Sequence, residues 1–200
     1  MSWRHSLGLQ EKDIVERPAP LDPSGQPIAD AEAEAEVIRR ISAELDAMPE
    51  DRARYLAGFA YILSRAALAD MDADAAETAE MERIVVTEGR VPEAEAVLVV
   101  EMAKTQSRLY GATEDYIITR DWSSRATTSQ KLDLLRACYM VGAASRLISA
   151  EENATLDQIA KEMGLDAEEE KSVRAQFYEK LSVVQALRAQ AAASEGDGGR

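Results

Sequence analysis

Two hundred residues at 46% hydrophobic content suffice for one domain with an apolar core and exclude a wholly disordered chain. Aromatics make up only 5% of a chain rich in Ala, Glu, Leu and Arg, which favours an all-α protein over a β-sandwich or barrel. Thirty-seven acids against 23 Lys plus Arg give a formal charge of −14; with no basic patch to offset it, neither nucleic acid nor an anionic lipid surface is an expected partner. A single Cys cannot form an internal disulfide, and no cationic leader precedes an apolar run, so the cytoplasm is the expected compartment. No apolar stretch approaches the roughly 20 residues of a membrane span, so direct membrane insertion is not expected.

Residues 1–29 hold Pro18, Pro20, Pro23, Pro27 and Gly25 without a sustained apolar period and are expected to form a disordered N-terminal tail. An all-helical domain is expected over 30–190, and a second tail over 191–200, where Ala gives way to Ser, Glu, Asp and Gly. From Ala31, acids load the first turns of a helix carrying Val37, Ile38, Ile41 and Leu45, which Pro49 stops. Glu50 and Asp51 open the next, with an inward stripe of Tyr55, Leu56, Phe59, Ile62, Leu63, Ala66 and Ala67, ending near Asp70. An acidic link, ADMDADAA, leads to a helix begun by Glu77, with Met81, Ile84 and Val85 inward and Gly89 as its cap. Pro92 starts a helix carrying Val97, Leu98, Val100 and Met102.

Between Thr105 and Thr128 the apolar residues lack clean spacing and define no boundaries. Ser129 is the expected cap of a helix with Leu132, Leu135, Cys138, Tyr139 and Val141. Ser149 with Glu152, and Asp166 with Glu169, read as capping boxes for two more helices. The first carries Leu156, Ile159, Ala160 and Met163 and stops at Gly164; the second closes the chain on Val173, Phe177, Leu181, Val184 and Leu187.

Residues 69–95 lie on residues 144–170 at a constant offset of 75 without gaps, pairing Glu77 with Glu152, Ile84 with Ile159 and Gly89 with Gly164. Two such units would bury one another's stripes, which predicts a compact bundle of seven to eight helices built from two pseudo-repeated units.

The block from Tyr55 to Gly89, YLAGFAYILSRAALADMDADAAETAEMERIVVTEG, resembles the tellurite-resistance TerB family. There a helix ends in Ala-Asp, and a Glu seven places after that Asp leads the next helix; Asp70 and Glu77 match. The block LDLLRACYMVGAASRLISAEENATLDQIAKEMGL has the same outline, but Ser145 replaces the Asp, and the Gly that often follows it is Met71 in one copy and Arg146 in the other. These departures leave one complete acidic site at most. The resemblance implies a helical bacterial protein of stress resistance, not a known catalyst, with divalent-cation binding by acidic residues. It also implies relatives that serve as regulatory domains of membrane-anchored J-domain co-chaperones. Other proteins, including membrane-associated stress complexes, are therefore the expected partners.

The densest ligand set is Asp70, Asp72, Asp74, Glu77 and Glu80, whose oxygens suit hard cations such as calcium, magnesium or manganese. It is no EF-hand, since Ala75 and Met81 stand where that loop needs Gly and Glu. Helical geometry puts a cap carboxylate, Asp74, beside the first-turn Glu77, and with Asp70 these are the candidate metal ligands; the same acids also read as solvated helix caps. His5, in the tail, offers no general base, and Cys138 on an inward stripe reads as a buried thiol. Methionines such as Met81, Met102 and Met163 read as core filling. Tyr110, Tyr116 and Trp122 with Arg108, Arg120 and Arg125 read either as core plus solvated charge or as a docking surface.

Overall fold

A computed structural model of the chain describes residues 29–66, 75–110, 115–144 and 147–197. It is all-α, with nine α-helices among the described residues and no strand beyond one isolated bridge. α1 (Ala29–Ala47) and α2 (Glu50–Ala66) flank Pro49, whose carbonyl accepts from the amides of Arg52 and Ala53. α2 is the central element: from Ala53 to Ala66 every residue except Tyr55 is buried. The expected single stripe is therefore too narrow. Ala53, Ala57, Gly58 and Ala60 form the other side of α2, and their small size lets further helices close over it.

α3 (Ala75–Thr87) buries Met81, Ile84 and Val85 as its spacing predicts. α4 (Glu93–Tyr110) follows Pro92 and buries Leu98, Val100 and Met102, but Val97 is 40% exposed; Ala96 and Val99 complete its inward face instead. α5 (Asp115–Arg125) falls in the segment whose boundaries the sequence leaves undefined. α6 (Thr128–Ala143) is capped by Thr127 rather than Ser129: its hydroxyl accepts from the Gln130 amide while the Gln130 side chain takes the Thr127 amide. This is a Thr-x-x-Gln capping box, two residues upstream of the expected cap.

α7 (Ala150–Glu162) and α8 (Ala167–Gln176) carry the two predicted boxes, each with both reciprocal hydrogen bonds. The expected single closing helix is broken. After Phe177 comes a 3-10 turn, Tyr178–Lys180, and then α9 (Ser182–Asp197), which leaves Leu187 59% exposed. The break has a visible partner: the Ile148 amide donates to the Lys180 carbonyl at 2.8 Å and the Ser182 amide to the Ile148 carbonyl at 2.9 Å. Backbone groups bonded this way are unavailable to a continuous helix. α9 itself runs to Asp197, beyond the alanines where composition ends it; the high helix propensity of Ala191–Ala193 favours the extension. α5 and this break raise the count above seven to eight.

The two halves pack reciprocally. α2 lies on α6, α3 of the first half packs on α6 of the second, and α7 of the second packs on α2 of the first. Spacing follows the repeat through one helix: Ala75 to Ala150 and Thr87 to Glu162 are both 75 apart, but Glu93 to Ala167 is 74. The gap-free offset fails at the glycines. Gly164 adopts the left-handed φ of +68° and ends α7 at once, with Leu165 N bonded to Ala160 O. In the first half Arg90, at φ 52°, takes that conformation one residue later, and Val91 N bonds to Val85 O. Gly89 is required for a different reason: a Cβ there would lie 2.6 Å from the Val85 carbonyl oxygen and 2.7 Å from Phe59 Cζ.

Candidate functional site

The acidic link ends in the first turn of α3, where Glu77 is exposed. Asp70, Asp72 and Asp74 lie outside the described residues, so of the three candidate ligands Asp70, Asp74 and Glu77 only the last has a place in the fold. Glu80 takes both Nε and Nη2 of Arg83, at 2.8 and 2.5 Å, one turn along its own helix. The hydrogen bond from Arg83 lowers its pKa. Among the described residues no three His, Cys, Asp or Glu side chains group as a metal site.

The second link shows what its carboxylate does. Ser149 Oγ accepts from the Glu152 amide at 3.1 Å, and Glu152 Oε2 accepts from the Ser149 amide at 2.8 Å. Glu152, the repeat counterpart of Glu77, therefore caps a helix.

Sequence reasoning missed two polar clusters, one where helices of the two halves converge and one within the second half. In the first, Arg65 of α2 donates through Nη1 to Glu162 Oε2 of α7 at 2.6 Å and to Thr119 Oγ1 of α5 at 2.8 Å. The Arg65 and Glu162 side chains are only 8% and 6% exposed. Burial pushes the Glu162 carboxyl up, but hydrogen bonds from Arg65, Gln158 and Thr119 outweigh it, and the pKa lies below the usual carboxylate value. Ser123 of α5 adds a bond to the Met163 carbonyl at 2.6 Å.

The second cluster joins α6, α7 and α8. The Tyr139 side chain is fully buried and stacks on Phe177, with centroids 5.1 Å apart. Asn153 Nδ2 donates to Asp157 Oδ2 at 3.2 Å, and Arg174 Nη1 stands 3.8 Å from that oxygen and 4.0 Å from Glu170 Oε1. Four buried oxygens here have no hydrogen-bond partner: Tyr139 Oη, Asn153 Oδ1, Asp157 Oδ1 and Glu170 Oε1. Burial and the Asp157 carboxylate raise the Glu170 pKa, and burial with both carboxylates raises the Tyr139 phenol. No local spacing announces this set, because its members come from three helices.

The remaining candidates divide clearly. Cys138 is fully buried, and burial pushes its thiol up to about 12, which leaves no reactive thiolate at neutral pH. Trp122 is core: it rests against Gly58, where an added Cβ would meet Trp122 Cδ1 at 2.5 Å, and its indole donates to the Tyr55 carbonyl at 3.0 Å. On the same helix Tyr116 and Ile117 are each 53% exposed, and Arg120 lies over the Tyr116 ring. The side chains of Arg108 and Tyr110 are outside the described set, as is His5. Among the described residues no helix is long and apolar enough to cross a membrane.

No curated protein and no solved structure matches this chain. The sequence model of one family, described as Tellurite resistance protein TerB, matches residues 56–175, more than half the chain. That span runs from the central helix α2 to the last turn of α8 and takes in both halves of the repeat together with the two links. The chain is a member of the TerB family.

Proposed function

We propose that this TerB protein is a non-enzymatic stress-response module. It binds a hard divalent cation at the link between α2 and α3, through Asp70, Asp74 and Glu77, and it docks onto other proteins. Family membership carries the reading, and the exposed first-turn position of Glu77 is compatible with a shallow oxygen-ligand site there. Calorimetric titration of metal-free protein with calcium, magnesium and manganese, against an Asp70→Asn, Glu77→Gln variant, tests it. Heat in the parent that the variant loses supports the link; equal heat in both moves the ion elsewhere, and no heat in the parent removes the cation.

A second reading has its own observation. Glu152 serves as a helix cap in the second half, and the same use of Glu77 would leave an interaction domain of the co-chaperone regulatory kind with no ion at the link. Its working surface is then the exposed Tyr116–Ile117 pair beside Arg120, because Trp122 belongs to the interior. Tyr116→Ser with Ile117→Ser should abolish binding of a co-purifying partner while leaving the thermal transition in place; unchanged binding argues against that surface.

A further inference from the structure

We propose that the buried polar cluster between α6, α7 and α8 is a second cation site, distinct from the acidic link. It takes a hard divalent ion of the calcium class through the oxygens of Asn153, Asp157 and Glu170, with the buried Tyr139 hydroxyl closing the fourth side. The inference rests on atoms that the fold buries without giving them partners. Tyr139 Oη, Asn153 Oδ1, Asp157 Oδ1 and Glu170 Oε1 are all shut off from solvent without a donor, and the two carboxyls can hydrogen-bond each other only by sharing a proton, a costly arrangement unless something binds among them. Stacking on Phe177 fixes the Tyr139 ring, so its hydroxyl cannot swing out to water.

The donors nearby do not meet this demand. Asn153 spends its amide nitrogen on Asp157 Oδ2, which leaves its carbonyl oxygen as an acceptor. Arg174 stands 3.8 and 4.0 Å away, beyond hydrogen-bond reach, and its side chain is 40% exposed. Apart from the Tyr139 hydroxyl proton and any proton the two carboxyls share, the cluster therefore offers acceptors only. A water's two protons and the Tyr139 hydroxyl proton would have to be divided one to each of the three acceptor side chains, whereas one cation meets all three and the hydroxyl oxygen at once. The oxygen-only donor set selects a hard ion over zinc or copper. Two carboxylates against one guanidinium leave the site at −1, the sign that attracts a cation. The first half has no counterpart, since the repeat offset places Ser64 and Thr78 opposite Tyr139 and Asn153. Ser64 Oγ donates to the Tyr61 carbonyl, and Thr78 Oγ1 accepts from Lys104.

The test uses the full chain carrying Asp70→Asn, Asp74→Asn and Glu77→Gln, so that the link cannot answer for the buried cluster. Metal-stripped protein is titrated with calcium chloride by calorimetry and with terbium chloride by tyrosine-sensitised luminescence. Binding heat and sensitised emission should persist in this background. Adding Asp157→Asn with Glu170→Gln should weaken calcium binding at least tenfold, Tyr139→Phe should dim the emission, and Arg174→Gln should tighten binding severalfold by removing the competing charge. Circular dichroism checks that each variant folds; if the double carboxylate variant does not, the Arg174→Gln titration decides alone. Absence of heat and emission in the link-variant background, calcium affinity unchanged by Asp157→Asn with Glu170→Gln, or no tightening by Arg174→Gln would each overturn the site. Failure of the link leaves these outcomes untouched.

Discussion

The same helix, α7, contributes to two buried polar clusters that are solved in opposite ways. Glu162 meets Arg65, and Thr119 takes a second bond from the same nitrogen, so the charge is neutralised by a partner supplied across the interface between halves. Asp157, just over one turn earlier on α7, faces Glu170 and Tyr139 with an arginine held at arm's length. The contrast teaches that burial alone does not mark a site. A cluster closed by its own donors is architecture, and one left with acceptors facing each other has capacity for something further.

The sharpest way to break this comparison is Arg65→Met, which leaves Glu162 buried without its partner. It should cost about 3–5 kcal/mol, read as a lowered urea midpoint at unchanged slope. Gly58→Ala strikes the same cluster from behind, because Trp122 would have to retreat and α5 carries Thr119 and Ser123 with it. Its expected cost is about 1–3 kcal/mol.

Acidity sharpens the comparison because the two glutamates titrate with opposite sign. The folded pKa of Glu162 is lowered, so its contribution is present above the unfolded value and is lost as pH falls through the folded one. The folded pKa of Glu170 is raised, so its contribution is largest below the unfolded value and declines as pH rises through the folded one. Denaturation from pH 3 to 7 should therefore show that Glu162→Gln flattens an acid-side loss, whereas Glu170→Gln in metal-free protein removes a neutral-side penalty. Tyr139→Phe should have the smallest effect, within about 0.5 kcal/mol in metal-free protein, because the hydroxyl it deletes has no partner to lose. A large loss there would mean that the open cluster is closed after all.

Features set by neighbours along the chain were mostly legible, the exception being the Thr127–Gln130 box, whose cap was expected at Ser129. The stripe of α3 and the capping boxes at Ser149 and Asp166 follow from residues three or four apart. Features set by neighbours in space were not. Nothing local separates Gly89, held by the approach of Phe59, from Gly164, held by a left-handed backbone. Trp122 looks like an interface anchor until Gly58 is seen to receive it, and the closing stripe looks continuous until Ile148 claims the backbone at Leu181. The link acids Asp70 and Asp74 were legible as a motif, and their geometry lies outside the described residues. The Tyr139 cluster had no motif, since a phenol, an amide and two carboxylates on three helices carry no shared period.

The bridge between Ile148 and Leu181 also orders events during synthesis. Domains assemble as the chain emerges, and the second link cannot be pinned until the turn preceding α9 has left the ribosome. Up to that moment the N-terminus of α7 is held only by its own cap and by side-chain packing. A nascent chain stalled short of Leu181 would therefore leave the second link open to protease.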